Sequence, residues 1–362
     1  MLNKYARLLV RYCLSIQPGE RLFIRTTTLA EPLVKEVYRE ALRAGGLVET
    51  ELEFEGQNRI LLQEGNDVQL GYVSMLYSEA MQHFDAYLYI KAPYSLREGY
   101  KPEAARTRQR QQALAPLSNI YFERTATRAL KRCLCQYPTQ AQAQEAGMSL
   151  ASYEQFVFEA CRLYEDDPVE AWRQLSREQQ HIVDYLNRCQ EFRYLNDRTD
   201  IHFSTAGRIW INSDGQTNMP SGEVYTSPIE DSAQGFIHFD LPAIYQGQEV
   251  QHVSLWLKDG YVDHWEAAQG KEVLDEVFEL PGARRLGEVA IGTNYRIQRF
   301  SRNILFDEKI GGTVHMAIGQ SYLQTGGKNE SAIHWDMIAD MKQGGQIFAD
   351  GTKIYENGLF LI

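Results

Sequence analysis

The sequence predicts an α/β protein in two parts: an amino-terminal doubly wound α/β domain over residues 1–195 and a strand-rich α+β domain over residues 196–362. Three observations carry that prediction. Strand-like and helix-like apolar patterns alternate through the first part, as a parallel sheet covered on both faces requires. Near Phe192 to Arg198 helical periodicity gives way to short strands divided by turn signals. A chain of 362 residues with 44% hydrophobic content can also fill more than one core.

Taken in order, Leu2 to Cys13 places Leu2, Tyr5, Leu8, Leu9 and Tyr12 at helical spacing. Arg21 to Arg25 reads as a short strand, and Leu33 to Ala44 as a helix ending at Gly45-Gly46. Val48 to Phe54 alternates, with Val48, Leu52 and Phe54 expected inward and Glu49, Glu51 and Glu53 outward. Asp67 to Met81 is expected to be helical and Ala86 to Lys91 extended. Arg97 to Leu117 carries Arg97, Lys101, Arg106, Arg108 and Arg110 along a polar helix, expected to be a solvated or interdomain face. Residues 141 to 190 read as helical and locally acidic. Beyond them come strands at Ile201–Ser204, Arg208–Ile211, Gly235–Phe239, Val253–Leu257 and Tyr261–Trp265, with turns at Ser213-Asp-Gly215 and Lys258-Asp-Gly260 and a helix at Lys271 to Phe278.

Several function classes are disfavoured. The turn after the first strand, Thr26 to Glu31, lacks the glycines with which backbone amides approach phosphate, so nucleotide chemistry is not expected. A formal net charge of -11 argues against nucleic acid or an anionic membrane as partner. No apolar run reaches transmembrane length and no secretory leader is recognisable, which leads to an expected cytoplasmic location. The five cysteines, Cys13, Cys133, Cys135, Cys161 and Cys189, form no disulfide framework and read as reduced structural thiols.

The chemistry-bearing stretch is Gly287 to Asp336. Glu288, His315, Tyr322, His334 and Asp336 lie in or beside its short apolar runs, with glycines nearby. Polar side chains inside buried strands are costly unless a partner satisfies them, and one shared metal is the economical partner. In an extended Ser331 to Ile338, His334 and Asp336 share one face and Ile333, Trp335 and Met337 the other. Val314-His315-Met316 repeats the pattern. A single such histidine is more often a hydrogen-bonded core residue, and His238-Phe239-Asp240 shows that the H-x-D spacing also arises elsewhere in this chain. Glu223 lies between Pro220 and Pro228 in a segment stiff enough to hold a carboxylate in one geometry.

Five segments, Asn218-Met-Pro-Ser-Gly-Glu-Val-Tyr-Thr, Gly287-Glu-Val-Ala-Ile-Gly, Asn303-Ile-Leu-Phe-Asp-Glu, His315-Met-Ala-Ile-Gly-Gln-Ser-Tyr and His334-Trp-Asp-Met, resemble the active-site motifs of the thermophilic-type dinuclear metalloaminopeptidases. They occur in that family's order. Gln136-Tyr-Pro-Thr and Gln144-Glu-Ala-Gly-Met-Ser extend the resemblance into the first half. The resemblance implies metal ligands at Glu223, Glu288, His315, His334 and Asp336 and an active-site tyrosine at Tyr322. It also implies two divalent ions per chain, zinc or cobalt, a peptide substrate with a free N-terminus, and a homodimer. The connection from Tyr322 to His334 is shorter than in typical members.

Three carboxylates and two imidazoles exceed one tetrahedral site and suit two ions that share a carboxylate. Tyr322 is placed to donate to an oxyanion, or else is a buried aromatic with its hydroxyl satisfied by backbone. Glu223 and Glu288 are the carboxylates considered for the general base, an assignment left open. Two other readings stand beside this one: another two-metal hydrolase, an amidase or phosphoesterase, and a non-catalytic binding protein on the same fold.

Overall fold

The computed structural model describes residues 1–96 and 104–362. It divides into two compact units, Met1–Ala171 with Gly215–Pro220 and Trp172–Asp214 with Ser221–Ile362. This division falls inside the helix Pro168–Leu186, ahead of the expected boundary at 195/196. From Trp172 on, that helix belongs with the second unit, and Val183 and Leu186 are buried in its core.

The first unit is built on a parallel sheet ordered Leu47–Glu53, Arg21–Thr27, Ala86–Lys91, Lys131–Gln136 and Asn218–Met219. Leu22, Phe23 and Ile24 are all fully buried, so both faces of the Arg21–Thr27 strand are covered, as a doubly wound sheet demands. The edge strand departs from expectation. Leu52 and Phe54 are 36% and 55% exposed, while Glu51 and Glu53 turn towards Arg25 on the neighbouring strand, with Arg25 Nε 3.2 Å from Glu51 Oε2. The register sets Arg25 beside Glu51, and the ion pairs decide the facing that the two apolar residues would otherwise have taken.

Two further expectations are corrected here. Asp67 to Met81 is not one helix but two, Asp67–Gly71 and Met75–His83. The second starts afresh because the Ser74 hydroxyl accepts from the Tyr77 amide at 3.4 Å. In the arginine-rich stretch, Arg97 and Lys101 lie outside the described residues, and the helix spans Ala104–Ala126. Arg106 donates to the carbonyls of Leu62 and Gly65, and Arg110 to those of Leu70 and Tyr72. These side chains therefore satisfy the carboxyl ends of two neighbouring helices instead of facing solvent. All five cysteines are free thiols, four of them buried. No helix among the described residues is long and apolar enough to cross a membrane.

The second unit is antiparallel. One sheet has eight strands, and a second, five-stranded sheet runs His334–Asp340, Thr313–Gly319, Leu286–Gly292, Glu223–Thr226 and Ile211–Ser213. The strand expected at Arg208–Ile211 begins only at Ile211, because Trp210 is drawn into the core, its ring 5.2 Å from that of Phe192. Phe192, Tyr194, Phe203, Ile237 and Leu255 of the larger sheet share one core with Val289, Ile291, Val314, Met316, Ile318, Trp335 and Met337 of the smaller. Burying this apolar face commits the alternate residues of the five-stranded sheet to its other side.

Candidate metal centre

On that other side, cross-strand neighbours bring the chemistry together. Glu288 pairs with Ala317, which pairs with Asp336; Ala290 pairs with both Tyr225 and His315; Gly292 pairs with Glu223, and Gly319 with His334. Small alanines thus separate Glu288 from Asp336 and Tyr225 from His315, while the glycines mark close backbone approach, a Cβ at Gly292 standing 2.2 Å from the Ile310 carbonyl oxygen and one at Gly319 2.1 Å from that of Ile333. The placing of Glu288 depends on a register shift between Leu286 and Glu288. Leu286 pairs with Ile318 and enters the core, whereas Glu288 pairs with Ala317 on the opposite face. A bulge is the device that turns two residues of nominally equal phase to different faces. Gly287 permits it, since a Cβ there would stand 2.3 Å from the Gln320 carbonyl oxygen.

The Glu223 strand is held by its own network. Gln179, 1% exposed, donates to the Glu223 carbonyl at 3.2 Å and to Asn212 Oδ1 at 2.6 Å, and accepts from Thr293 at 2.8 Å. Gly222, at φ +113, lies so close to Asn294 that a Cβ would approach its side chain to 2.7 Å. Backbone and side-chain bonds across this gap, Thr293 N to Gly222 O and Asn294 Nδ2 to Ser221 O, both 2.9 Å, fix the entry to the strand.

The structure brings all six residues singled out in the sequence into one cluster. His315 Nε2 is 3.4 Å from Glu223 Oε2 and 3.7 Å from Glu288 Oε1. His334 Nε2 is 3.0 Å from Glu288 Oε2 and 3.5 Å from Asp336 Oδ1, and the Tyr322 hydroxyl lies 3.4 Å from the same nitrogen. Nδ1–H of His334 donates to the Gln320 carbonyl at 2.7 Å, which orients Nε2 towards the carboxylates. His238 stays outside the cluster, bonded to Ser254 and Arg198.

Two residues not singled out join them. Glu308 and Lys309 follow the helical turn Ile304–Asp307, which is anchored by Asp307. The Asp307 carboxylate accepts from the Ser301 amide and hydroxyl, both at 2.8 Å, and from the Asn303 amide at 2.9 Å. Lys309, with no exposed surface, ion-pairs with Glu308 and sits 3.5 Å from Glu223 Oε1. Donor atoms of Glu288, His334 and Asp336 lie within 4.8 Å of one another, and so do those of Glu308, His315 and Asp336.

The electrostatics test whether metal ions fit. Among the described residues, Lys309 is the one lysine paired with these carboxylates, and it reaches Glu223 and Glu308, while Glu288 and Asp336 face the imidazoles. Burial alone would lower the His315 imidazole, but Glu288, with an oxygen 3.7 Å from Nε2, and the charges of Glu223 and Asp336 prevail and raise it to about 9. His334 behaves alike: burial opposes, and Asp336 and Glu288 raise it to about 11. Burial pushes the Glu308 carboxyl up to about 8 against the pull of Lys309. Asp336 is held below the usual range despite its burial, chiefly by the His334 imidazole, whose Nε2 lies 3.5 Å from Oδ1. The two histidine shifts report an excess of negative charge around the imidazoles, which protons relieve and divalent cations relieve better. His315 Nδ1 and Asp336 Oδ1 are buried with no hydrogen-bond partner among the described residues. Mixed imidazole and carboxylate donors suit zinc-like and cobalt-like ions.

Fold and donor set together define a protein with a buried cluster fit to hold divalent metal. The whole-chain comparisons agree: the model of the thermophilic metalloprotease family (M29) matches residues 1–360. The chain is similar to Aminopeptidase 2 of Geobacillus stearothermophilus, 30% identical with 99% of this chain and 97% of the relative covered. It is also similar to Aminopeptidase PepS of Streptococcus thermophilus, 28% identical over 100% and 98% of the two chains. The solved structure of wild-type AmpT from Thermus thermophilus shares the fold at a TM-score of 0.85, with 22% identity and coverage of 100% and 99%. The chain belongs to the M29 metalloprotease family and is a metal-dependent peptide hydrolase.

Proposed function

We propose that the protein is an aminopeptidase that removes the first residue of peptides at a centre of two divalent ions. The observation that carries the two-ion reading is Asp336, which belongs to both three-donor groups and so links a Glu288–His334 site to a Glu308–His315 site. Glu223 adds a donor on the His315 side, and Glu288 reaches both histidines. When bound, such ions supply a water ionised near neutral pH and polarise the scissile carbonyl. A substrate's free amine, in its neutral form, would offer such a centre one further nitrogen donor, which would favour cleavage at the N-terminus.

Tyr322 is the residue we assign to the developing oxyanion. Burial, with Glu288 and Asp336 adding to it, raises its hydroxyl well above the usual range, so it stays a proton donor at neutral pH. Its ring packs at 5.4 Å on Tyr225 and 4.9 Å on His334, which fixes the direction of the hydroxyl. Zinc or cobalt as the ion, a homodimer and a cytoplasmic location belong to the same proposal, supported by the donor chemistry and by the resemblance of the motifs.

The test is an assay on leucyl amide, N-acetyl-leucyl amide and a phosphate monoester with zinc or cobalt present. Release from leucyl amide alone is expected; turnover of the acetylated compound or the phosphate ester at comparable rates contradicts the aminopeptidase reading. In the same assay Tyr322→Phe is expected to lower kcat about 100-fold, as loss of one oxyanion donor does, while metal content stays unchanged.

A further inference from the structure

Lys309 is the least expected member of the cluster. A lysine with no exposed surface keeps its charge only where carboxylates compensate it, and both of its partners are donors of the proposed centre. Glu223 divides its two oxygens, Oε1 lying 3.5 Å from Lys309 Nζ and Oε2 3.4 Å from His315 Nε2. Glu308 is held by the same ammonium while one of its oxygens stays within 4.8 Å of donors on His315 and Asp336. The backbone of Lys309 reinforces this arrangement. Its carbonyl accepts from the Asn294 amide at 3.0 Å, and Asn294 in turn holds the Ser221 carbonyl next to Glu223. No ion pair joins Lys309 to the other half of the centre, Glu288 and His334, among the described residues.

We propose that Lys309 is a positioning residue for one half of the metal centre. Its buried ammonium fixes one oxygen of Glu223 and one of Glu308, so that the ion on the His315 side meets carboxylates already aimed at it. This rests on the two-ion reading and adds an asymmetry to it: the His315-side ion depends on Lys309, and the His334-side ion does not. A ligating carboxylate is ordinarily oriented by a hydrogen-bonding partner, and loss of such a partner costs about 10- to 100-fold in metal affinity. Charge alone acts in the opposite sense, because a cation beside the site repels the ion that enters it. The sign of the effect therefore separates positioning from simple electrostatics.

The experiment titrates metal-stripped full-length chain with cobalt(II), followed by calorimetry and by visible absorption. Wild type is expected to bind about two ions. Lys309→Met is expected to bind one as wild type does and the other about 10- to 100-fold more weakly. Unchanged or tighter binding of both ions overturns the proposal. Failure of wild type to take up cobalt overturns the two-ion reading itself, a different result. Circular dichroism of the stripped variant establishes that it is folded. Should Lys309→Met not fold, Lys309→Arg replaces it. That variant keeps the charge but moves the donors, so selective weakening of one ion supports positioning, and two ions bound as in wild type overturn it.

Discussion

Glu288→Gln is expected to lower kcat/KM on leucyl amide by about 1,000-fold or more, equivalent to roughly 4 kcal/mol of lost transition-state stabilisation. The size follows from position. Glu288 is 4% exposed and is the carboxylate that approaches both histidines, 3.7 Å from His315 Nε2 and 3.0 Å from His334 Nε2. Glutamine keeps the volume and the bulged backbone but loses the charge and one of the two anionic oxygens, so neither half of the centre is left intact. The metal-free chain is expected to stay folded, as circular dichroism checks, but not to gain stability, because the relief of repulsion among the carboxylates is offset by the loss of the charge that faces the protonated His315 and His334. Kinetics within tenfold of wild type, measured with saturating metal, would remove Glu288 from the centre.

Removal of metal is expected to abolish turnover reversibly and to lower the melting temperature. Ions that bind only the folded chain stabilise it by mass action, about 2.7 kcal/mol for each ion present at 100 times its Kd. Two such ions contribute roughly 5 kcal/mol, which for a chain of this size corresponds to a fall of roughly 7 °C on chelation. The loss arises because the buried carboxylates are left with only Lys309 and protonated imidazoles to oppose them. Added zinc or cobalt is expected to restore both properties. A stripped enzyme that melts and turns over as before would contradict the metal assignment.

Much of this was legible in the sequence because the physics behind it is local. The two-residue period of His334-Trp335-Asp336 and Val314-His315-Met316 reports which side chains leave an apolar core, and the core does contain Trp335, Val314 and Met316. Glu308 and Lys309 escaped because Asp307-Glu308-Lys309 reads as an ordinary surface charge run. Nothing in the spacing reveals that Asp307 is 1% exposed and spent on Ser301 and Asn303, which turns its two neighbours inward. The one available signal was the place of Glu308 at the end of the Asn303 to Glu308 motif. Glu51 and Glu53 failed differently: alternation gives two faces but not which face is inside, and Arg25 on the adjacent strand decided it. The return of Gly215–Pro220 to the first unit, where Asn218–Met219 pairs with Lys131–Gln136, is a long-range pairing that two residues of strand cannot announce.

The central claim is that donors from four neighbouring strands and one helical turn converge on two cations. Anomalous diffraction at the zinc edge from zinc-loaded crystals tests it most directly. The account expects two strong peaks per chain, one bounded by Glu288, His334 and Asp336 and the other by Glu308, His315 and Asp336. A map with no peak among these side chains, or with its zinc bound elsewhere, would contradict it.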